Sequence, residues 1–221
     1  MRPELLPIPV LVITTALLIR AEILGKKQQI YIFKPISTLL VIAIALLSFL
    51  KPVQNLTYTI GVTAGLLLSF GGDVALMFQE KRKPFVIGLG LFLLAHVAYA
   101  VVFTILGVFS ARDLLSAALI LAPGAGMFLL IRPNLGTMKV PVLVYIVVIS
   151  VMVNRAASTL LSPVFEASQA WMVLVGAILF YISDVILAAN RFWKPWKYNR
   201  ISLAFYYSGQ LLIALAASCF M

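Results

Sequence analysis

The sequence predicts an all-α, polytopic membrane protein whose single domain, residues 1–221, contains eight transmembrane helices. The chain is 63% hydrophobic and its mean hydropathy is +1.09, whereas soluble domains are roughly 45–50% apolar. Apolar runs of the roughly 17–25 residues needed to cross a bilayer recur along the whole chain. The connections between these runs are too short to contain a soluble domain, so any active site must be built from the helices themselves.

The eight runs follow one another with little intervening sequence. The first follows only Met1–Glu4 and has no small-residue cleavage site before Arg20, so we expect a retained helix and not a cleaved signal peptide. We expect the second to begin at Lys34–Pro35, because proline is favoured in the first turn of a helix. The third contains Gly61 and Gly65, a spacing that favours close helix packing. The runs cover residues 5–21, 35–50, 58–78, 85–107, 111–131, 140–156, 171–189 and 201–221.

The basic residues are distributed unevenly between the two ends of the predicted helices. Alternating the eight spans places 13 of the 17 Lys and Arg residues at one face, which the positive-inside rule assigns to the cytoplasm. Both termini are then extracytoplasmic, in the endoplasmic reticulum of a eukaryote or the inner membrane of a bacterium. The net charge of +10 therefore comes from basic residues that set the topology or contact lipid phosphates, and it does not indicate nucleic-acid binding. The 13 are Arg20, Lys26, Lys27, Lys34, Lys81, Arg82, Lys83, Arg132, Lys139, Arg191, Lys194, Lys197 and Arg200; the other four are Arg2, Lys51, Arg112 and Arg155.

Two aspartates, Asp73 and Asp184, lie inside predicted spans without an oppositely charged neighbour in the sequence. A carboxyl group in the hydrocarbon region is costly, so such a residue usually marks a functional site. Each lies six residues before a polar residue at the predicted cytoplasmic end, Gln79 or Asn190, which is about 9 Å at 1.5 Å per residue. Their separation, 184 minus 73, is 111 residues, or half of the chain, which suggests a 4+4 internal repeat. We expect the two carboxyls to meet; the alternative is that each is a protonated contact between helices.

Other polar residues are expected near the aspartates. Tyr181 shares a helix face with Asp184. The last span brings Tyr206, Tyr207 and Gln210 to a comparable depth, where they would bind a substrate oxygen or anchor the helix at the interface.

The sequence contains little else that carries chemistry. His96, the only histidine, lies nearer the membrane midplane and is more typical of an interhelical hydrogen bond than of a ligand. Cys219 is the only cysteine and has no partner for a disulfide within the chain. No metal, phosphate-loop or nucleophile motif occurs, so we predict neither a metal nor a cofactor.

Several short motifs occur in a specific order. They are Lys34-Pro35, Gly72-Asp73 followed by Leu76, Phe92–His96 with Tyr99, Ser183-Asp184 followed by Leu187-Ala188 and Arg191-Phe192, and Tyr206-Tyr207 with Gln210. In this order they resemble the lysoplasmalogenase, or YhhN-like, family of membrane hydrolases over most of the chain. The resemblance implies eight transmembrane helices, a lysophospholipid substrate, and hydrolysis of its vinyl ether bond to a fatty aldehyde and a glycerophospho-headgroup. We take Asp73 and Asp184 as the catalytic candidates, and as substrate-binding candidates Lys34, His96, Tyr99, Tyr181, Ser183, Arg191, Tyr206, Tyr207 and Gln210.

Vinyl ether hydrolysis requires an acid and an anion, which two aspartates would supply. Two close carboxyls in a site of low dielectric do not both ionise easily, so one would stay protonated near neutral pH. We hypothesise that the protonated aspartate transfers its proton to the β-carbon, while the other stabilises the oxocarbenium ion and orients water, as in glycosidases. The sequence leaves open which aspartate is which. The phosphate would lie at the basic rim, where Lys34, Arg191 and Lys194 are candidates.

Two other functions also use intramembrane aspartates. An intramembrane aspartyl protease has its first aspartate in Tyr-Asp and its second in Gly-x-Gly-Asp, whereas Gly72 precedes Asp73 here, and Tyr181 and Ser183 replace the two glycines before Asp184. A proton-coupled transporter or lipid carrier would load and release protons on the carboxyls as its halves move. Turnover of a lysoplasmalogen separates an enzyme from a carrier.

Overall fold

The computed structural model describes residues 3–196 and 199–220, and it confirms the predicted all-α fold. The described residues form eight α-helices: α1 Pro7–Ile23, α2 Lys27–Leu47, α3 Leu56–Leu76, α4 Arg82–Leu106, α5 Arg112–Ile131, α6 Lys139–Ser158, α7 Ala167–Phe192 and α8 Ser202–Ala216. Two of the basic residues assigned to faces from the sequence, Arg2 and Lys197, lie outside the described residues.

Seven of these helices, α1 to α7, are long and apolar enough to cross a membrane. The eighth predicted span is present as a helix but is shorter than predicted, because α8 has 15 residues and a perpendicular span needs roughly 20. A single 3-10 turn at Asn199–Ile201 leads directly into α8, which then packs along α7.

The start of α2 corrects the prediction. The helix begins at Lys27 and not at Lys34–Pro35, so Pro35 lies in its interior. Gly25, with a φ of +65°, reverses the chain between α1 and α2, a backbone conformation that suits a residue without a Cβ. The polar residues that follow this turn are therefore helical, and Lys34 lies about two turns inside α2.

Glycines determine how closely two pairs of helices approach. A Cβ on Gly65 of α3 would lie 2.3 Å from the Tyr99 ring of α4, and a Cβ on Gly61 would also collide with α4, which confirms the packing role predicted for these two glycines. At the α7–α8 crossing, a Cβ on Gly176 or Gly209 would lie 2.8 or 2.6 Å from the other glycine's carbonyl oxygen. A side chain at any of these positions would force the helices apart.

Contacts between helix ends gather charged residues at one end of the bundle. Lys27 at the start of α2 forms an ion pair with Glu80, just after α3, at 2.9 Å. Arg200 before α8 pairs with Glu22 near the end of α1 at 3.2 Å. An alternating up-and-down path of the helices brings these residues together, and we call this the basic end. Its assignment to the cytoplasm stays a prediction.

The two aspartates lie at different distances from the ends of their helices. α3 ends at Leu76, three residues after Asp73, whereas α7 continues to Phe192, eight residues after Asp184. At 1.5 Å per residue these distances are about 4.5 and 12 Å, in place of the common 9 Å that the sequence predicted. The difference arises because α3 ends three residues before Gln79, whereas α7 continues two residues past Asn190. Both ends still meet, since Arg191 reaches the Gln79 carbonyl oxygen at 3.5 Å.

Candidate active site

The two aspartates occupy separate polar centres in the bundle. No hydrogen bond or ion pair between the described residues joins Asp73 to Asp184; each carboxyl instead has its own partners from two other helices. The two carboxyls therefore do not contact each other, contrary to the prediction. The Asp73 centre consists of Lys34 and Thr38 on α2, Asp73 on α3, and Tyr206 and Tyr207 on α8; the Asp184 centre consists of His96 on α4, Tyr145 on α6 and Asp184 on α7.

The Asp73 centre is closed and contains its own counter-ion. The Asp73 side chain is only 3% exposed, and its Oδ1 lies 3.5 Å from the Lys34 ammonium. Its Oδ2 accepts hydrogen bonds from the hydroxyls of Thr38, at 2.7 Å, and Tyr206, at 2.8 Å. Both carboxylate oxygens are thus occupied, and the buried charge is balanced, as a buried ion pair requires.

The position of Lys34 differs from the one expected from the sequence. Lys34 is buried inside α2 and its ammonium is paired with Asp73. This ammonium therefore does not lie at the basic rim. Tyr207 reinforces the arrangement, since its hydroxyl donates to the Lys34 carbonyl at 3.1 Å and lies 3.2 Å from the Thr38 hydroxyl. The three helices α2, α3 and α8 are thereby linked through one polar cluster.

The Asp184 centre is more open and lacks a permanent cation among the described residues. The Asp184 side chain is 15% exposed, and its Oδ2 lies 3.4 Å from His96 Nε2. The same oxygen accepts a hydrogen bond from the Tyr145 hydroxyl at 2.6 Å. His96 Nδ1 lies 2.5 Å from the Phe92 carbonyl oxygen; because a carbonyl can only accept, Nδ1 carries hydrogen. Nε2 faces Asp184 within ion-pair distance but without hydrogen-bond geometry.

Asp184 lines an apolar cavity of about 60 Å³ between α4, α5, α6 and α7. Tyr145, Tyr181 and Arg191 share this cavity wall, whereas Asp73 does not line it. Both protein contacts of the carboxyl are made by Oδ2, so Oδ1 is the oxygen left for a molecule in the cavity. We call this space the Asp184 cavity.

Aromatic rings separate the two centres. The Tyr206 ring, whose hydroxyl binds Asp73, packs against Phe180 with a centroid distance of 5.1 Å and against Phe92 at 5.8 Å. Phe180 in turn contacts the His96 ring at 4.6 Å. The centres therefore touch through packed rings, and among the described residues no hydrogen bond links one centre to the other.

Three of the predicted substrate-binding residues lie elsewhere in the bundle. Tyr99 donates to the Gln210 side-chain oxygen at 2.8 Å, and the Gln210 amide donates to Ser69 at 3.0 Å. This buried network joins α3, α4 and α8. Ser183 is buried in α7 and lines neither the Asp184 cavity nor the space described next.

A second cavity of about 450 Å³, with a more polar lining than the first, opens at the basic end, and we call it the vestibule. Leu76, Leu187 and Arg191 line both the vestibule and the Asp184 cavity, so the two spaces adjoin at these residues. Arg191 also lies over the Phe85 ring, 4.6 Å from its centroid. Of the predicted phosphate-binding residues, only Arg191 is placed here, because Lys194 faces a separate surface groove.

Thr38 of the Asp73 centre was not predicted from the sequence, and neither was Tyr145 of the Asp184 centre. Tyr145 lies in an apolar stretch of α6 and belongs to no motif, although a signal was available in the suspected repeat. Tyr145 lies 111 residues after Lys34 (145 minus 34), as Asp184 lies 111 after Asp73. Tyr207 likewise follows His96 by 111 (207 minus 96). These shared separations are what a 4+4 repeat would produce, and the repeat itself stays a prediction.

Known proteins with similar sequences belong to the same family that the motifs resemble. The model of the YhhN family matches residues 29–217. The chain is 33% identical over 163 residues to lysoplasmalogenase TMEM86A of Bos taurus, covering 71% of this chain and 64% of that protein. It is 35% identical over 132 residues to a lysoplasmalogenase of Mycobacterium tuberculosis, covering 58% and 48% of the two chains. It is 29% identical over 192 residues to the membrane protein YhhN of Escherichia coli O157:H7, covering 86% and 87%.

Coverage of these relatives is partial. The matched region spans 64% of the length of the bovine protein, which is less than two thirds. No solved structure matches this chain significantly.

Proposed function

The chain belongs to the YhhN family, and from this premise we propose that it hydrolyses the vinyl ether bond of lysoplasmalogens to a fatty aldehyde and a glycerophospho-headgroup. Relatives named lysoplasmalogenase, at 33 and 35% identity, support the proposal. The observation that carries it is the placement of Asp184, a carboxyl with one uncommitted oxygen, in the wall of an apolar cavity that adjoins the more polar vestibule. At about 60 Å³ the apolar cavity would hold the vinyl ether end of an amphiphile, while the rest of the single tail would lie along the helices in the hydrocarbon and the charged head in the vestibule.

In this mechanism Asp184 is the general acid. Its Oδ1 transfers a proton to the β-carbon of the vinyl ether, and the electrons of the double bond form the new C–H bond, leaving an oxocarbenium ion. The resulting Asp184 carboxylate is stabilised by the hydrogen bond from Tyr145 at 2.6 Å, because hydrogen bonds to charged groups are stronger than neutral ones. It also lies beside the cation that it has created, where opposite charges attract strongly in an apolar cavity.

Water completes the reaction. A water molecule adds to the cationic carbon and returns a proton to the Asp184 carboxylate, which restores the acid. The hemiacetal then loses its hydroxyl proton as the bond to the glycerol oxygen breaks and that oxygen is protonated, so the products are the aldehyde and the alcohol. The vestibule, with its more polar lining, is the route by which water enters.

Asp73 acts on this site indirectly. Its carboxylate holds the Tyr206 hydroxyl at 2.8 Å, and the Tyr206 ring packs against Phe180, which supports the His96 ring. Asp73 and Lys34 therefore position the wall behind the Asp184 centre, and the catalytic proton stays on the Asp184 side. The separation of the aspartates by Phe180 and Tyr206 is also unlike the facing carboxyls of an aspartyl protease.

The basic end is proposed to face the cytoplasm, with both termini on the other side of the membrane. Lys81 lies at this end, immediately before α4. A single cysteine introduced by Lys81→Cys in a Cys219→Ser background is expected to react with an impermeant maleimide only from the cytoplasmic side. Labelling from the opposite side in sealed vesicles would reverse the orientation.

Aldehyde release tests the function. Purified protein given a lysoplasmalogen should produce fatty aldehyde, and Arg191→Gln should raise KM by about tenfold, because Arg191 is the cation at the junction of the two cavities. Lys194→Gln is the matched control, since Lys194 faces a different groove, and its KM should be unchanged. Movement of the intact lipid without aldehyde would favour a carrier.

A further inference from the structure

His96 contains a buried nitrogen that the proposed reaction does not use. The His96 side chain is buried in α4, and its Nδ1 carries the hydrogen that the Phe92 carbonyl accepts. In a neutral imidazole the other nitrogen then has a lone pair and no hydrogen. Within the described part of the chain this nitrogen, Nε2, makes no hydrogen bond, although buried polar atoms are rarely left without a partner.

The atom that Nε2 faces is also an acceptor. Asp184 Oδ2 lies 3.4 Å from Nε2 and accepts a hydrogen bond from the Tyr145 hydroxyl at 2.6 Å. Without a further proton, a nitrogen lone pair and a carboxylate oxygen would oppose each other among apolar side chains. One proton between the two atoms removes this repulsion and leaves the pair without net charge, which an apolar surrounding favours. We call His96 and Asp184 the couple.

The surroundings supply no other charge to the couple. Among the described residues, no other charged group has a hydrogen bond or ion pair with either member, and Tyr145 on α6 reaches it only as a neutral donor. Asp73 on α3 is paired with Lys34. The remaining titratable side chains near the middle of the surrounding helices bond elsewhere: Tyr58 to the Ile213 carbonyl, Tyr99 to Gln210, Tyr181 to the Ile120 carbonyl and Tyr206 to Asp73.

We propose that His96 is a positioning residue that holds one proton together with Asp184 and thereby keeps the general acid protonated between turnovers. In the hypothesis drawn from the sequence, a second carboxyl had this role, but the structure separates Asp73 from Asp184. The proposal rests on the proposed function, in which Asp184 is the acid. His96 does not line the Asp184 cavity, so it acts through Asp184 and does not touch the substrate.

The proton reaches the cavity through the carboxyl itself. The terminal torsion of an aspartate is broad and roughly two-fold, so a half-turn of the Asp184 carboxyl carries the protonated oxygen from Nε2 to the cavity. The acid then gives its proton to the β-carbon, where the electrons of the double bond form the new C–H bond. Addition of water to the cationic carbon returns one proton to the carboxylate, and the reverse half-turn places that proton beside Nε2 again. One proton leaves and one returns, so His96 ends the cycle unchanged.

Nitrogen NMR detects the shared proton, because His96 is the only histidine in the chain. The full chain, purified without a histidine tag and labelled with ¹⁵N only in histidine, gives the spectrum of this residue alone. At neutral pH the wild-type Nε2 signal is expected to lie away from the position of a bare nitrogen, toward that of a protonated one. Asp184→Asn has no acidic proton to share, so its Nε2 signal should lie at the bare position, while Nδ1 stays protonated in both proteins. The same Nε2 position in the two proteins would overturn the proposal.

The pH profile of kcat measures the consequence for turnover. A proton that two groups hold together is lost at a higher pH than a proton held by one of them. His96→Phe keeps a ring against Phe180 and Tyr145 but binds no proton. The alkaline fall of kcat should therefore begin at least about one pH unit lower than in the wild type, while kcat on the acidic plateau stays within about threefold. An alkaline fall at the wild-type pH or above it would contradict the role of His96.

Tyr145→Phe is the matched control, because it should move the same part of the profile in the opposite direction. The Tyr145 hydroxyl donates to Asp184 and stabilises its ionised form. With each profile normalised to its own maximum, loss of this donor should shift the alkaline fall to higher pH. A general disturbance of the cavity would move both variants in the same direction, and that result would overturn the assignment of His96.

The two measurements separate this proposal from the function on which it rests. If no lysoplasmalogen yields aldehyde while the Nε2 signal still depends on Asp184, the reaction fails and the shared proton stands. If aldehyde is released and the Nε2 signal is the same in the wild type and in Asp184→Asn, the shared proton fails and the reaction stands.

Discussion

Asp73 and Asp184 lie 111 residues apart in the sequence, and the surroundings of the two carboxyls differ. At the first, Lys34 neutralises the aspartate and both carboxylate oxygens are occupied. At the second, the neutral Tyr145 hydroxyl donates to the aspartate, no lysine or arginine pairs with it among the described residues, and both contacts fall on a single oxygen. The first centre faces packed rings, whereas the second faces a cavity.

Two carboxyls inside the same bundle can therefore differ in how available they are for proton transfer. A buried aspartate with a fixed cation and filled hydrogen bonds is a structural link between helices. The same residue becomes available for proton transfer when the cation is replaced by a neutral donor and one oxygen is left facing a cavity. The comparison predicts that substitutions at the two aspartates have different consequences.

The largest effect is expected from Asp184→Asn. An amide cannot donate an acidic proton, so aldehyde release should fall by about 10² to 10⁴, the usual contribution of a general acid, while the unfolding temperature changes little. Ser183→Ala, one residue earlier on α7 and outside the cavity wall, is the control and should retain activity. A folded Asp184→Asn protein with wild-type turnover would remove the distinction between the centres.

Asp73→Asn is expected to act on stability. The substitution leaves the Lys34 ammonium buried without its counter-ion, which typically costs about 3–5 kcal/mol. Denaturation in detergent measures the loss. Adding Lys34→Met removes the stranded charge, so the double variant should recover most of the stability and retain turnover within about tenfold. Full stability of Asp73→Asn alone, or a stable double variant without activity, would show that the Asp73 centre is not the structural partner described here.

A smaller effect sharpens the role of Tyr145. Tyr145→Phe keeps the ring against His96 but removes the donor to Asp184; a hydrogen bond to a charged group contributes about 1.5–3 kcal/mol, so kcat should fall by about 10- to 100-fold with little change in KM.

Tyr181→Phe provides the matched comparison and the smallest effect. Tyr181 lines the same cavity, but its hydroxyl donates to the Ile120 carbonyl and not to Asp184. Its loss should reduce kcat by no more than about threefold. Equal losses in the two Tyr→Phe variants, measured as kcat for aldehyde release, would indicate a general effect of cavity shape.

Composition and hydropathy were enough to predict the fold class and most of the helices, because the cost of exposing polar groups to lipid constrains every span. The start of α2 was predicted wrongly because Pro35 is typical of a first turn, and because the polar residues from Lys27 lower the local hydropathy although they are helical. The length of α8 was overestimated, since an apolar run continues past the last helical turn.

The site was predictable only in part. Asp73 and Asp184 stand out because charges are rare in spans, but the pairing of Lys34 with Asp73 depends on how helices pack, which one sequence does not specify. Lys34 was expected at the rim because α2 was expected to begin at Lys34–Pro35. Tyr145 resembles any interfacial tyrosine until its position is compared with that of Lys34 in the other half.

We propose that Asp184, and not Asp73, presents a reactive carboxyl to the substrate cavity. An apolar carbodiimide, which modifies protonated carboxyls within membranes, followed by peptide mass spectrometry tests this directly in the native protein. We expect modification of Asp184, protection of Asp184 by a non-cleavable ether lysolipid, and no modification of Asp73 until the protein is unfolded. Modification of Asp73 in the folded protein, with Asp184 unreacted or unprotected by the lysolipid, would contradict it.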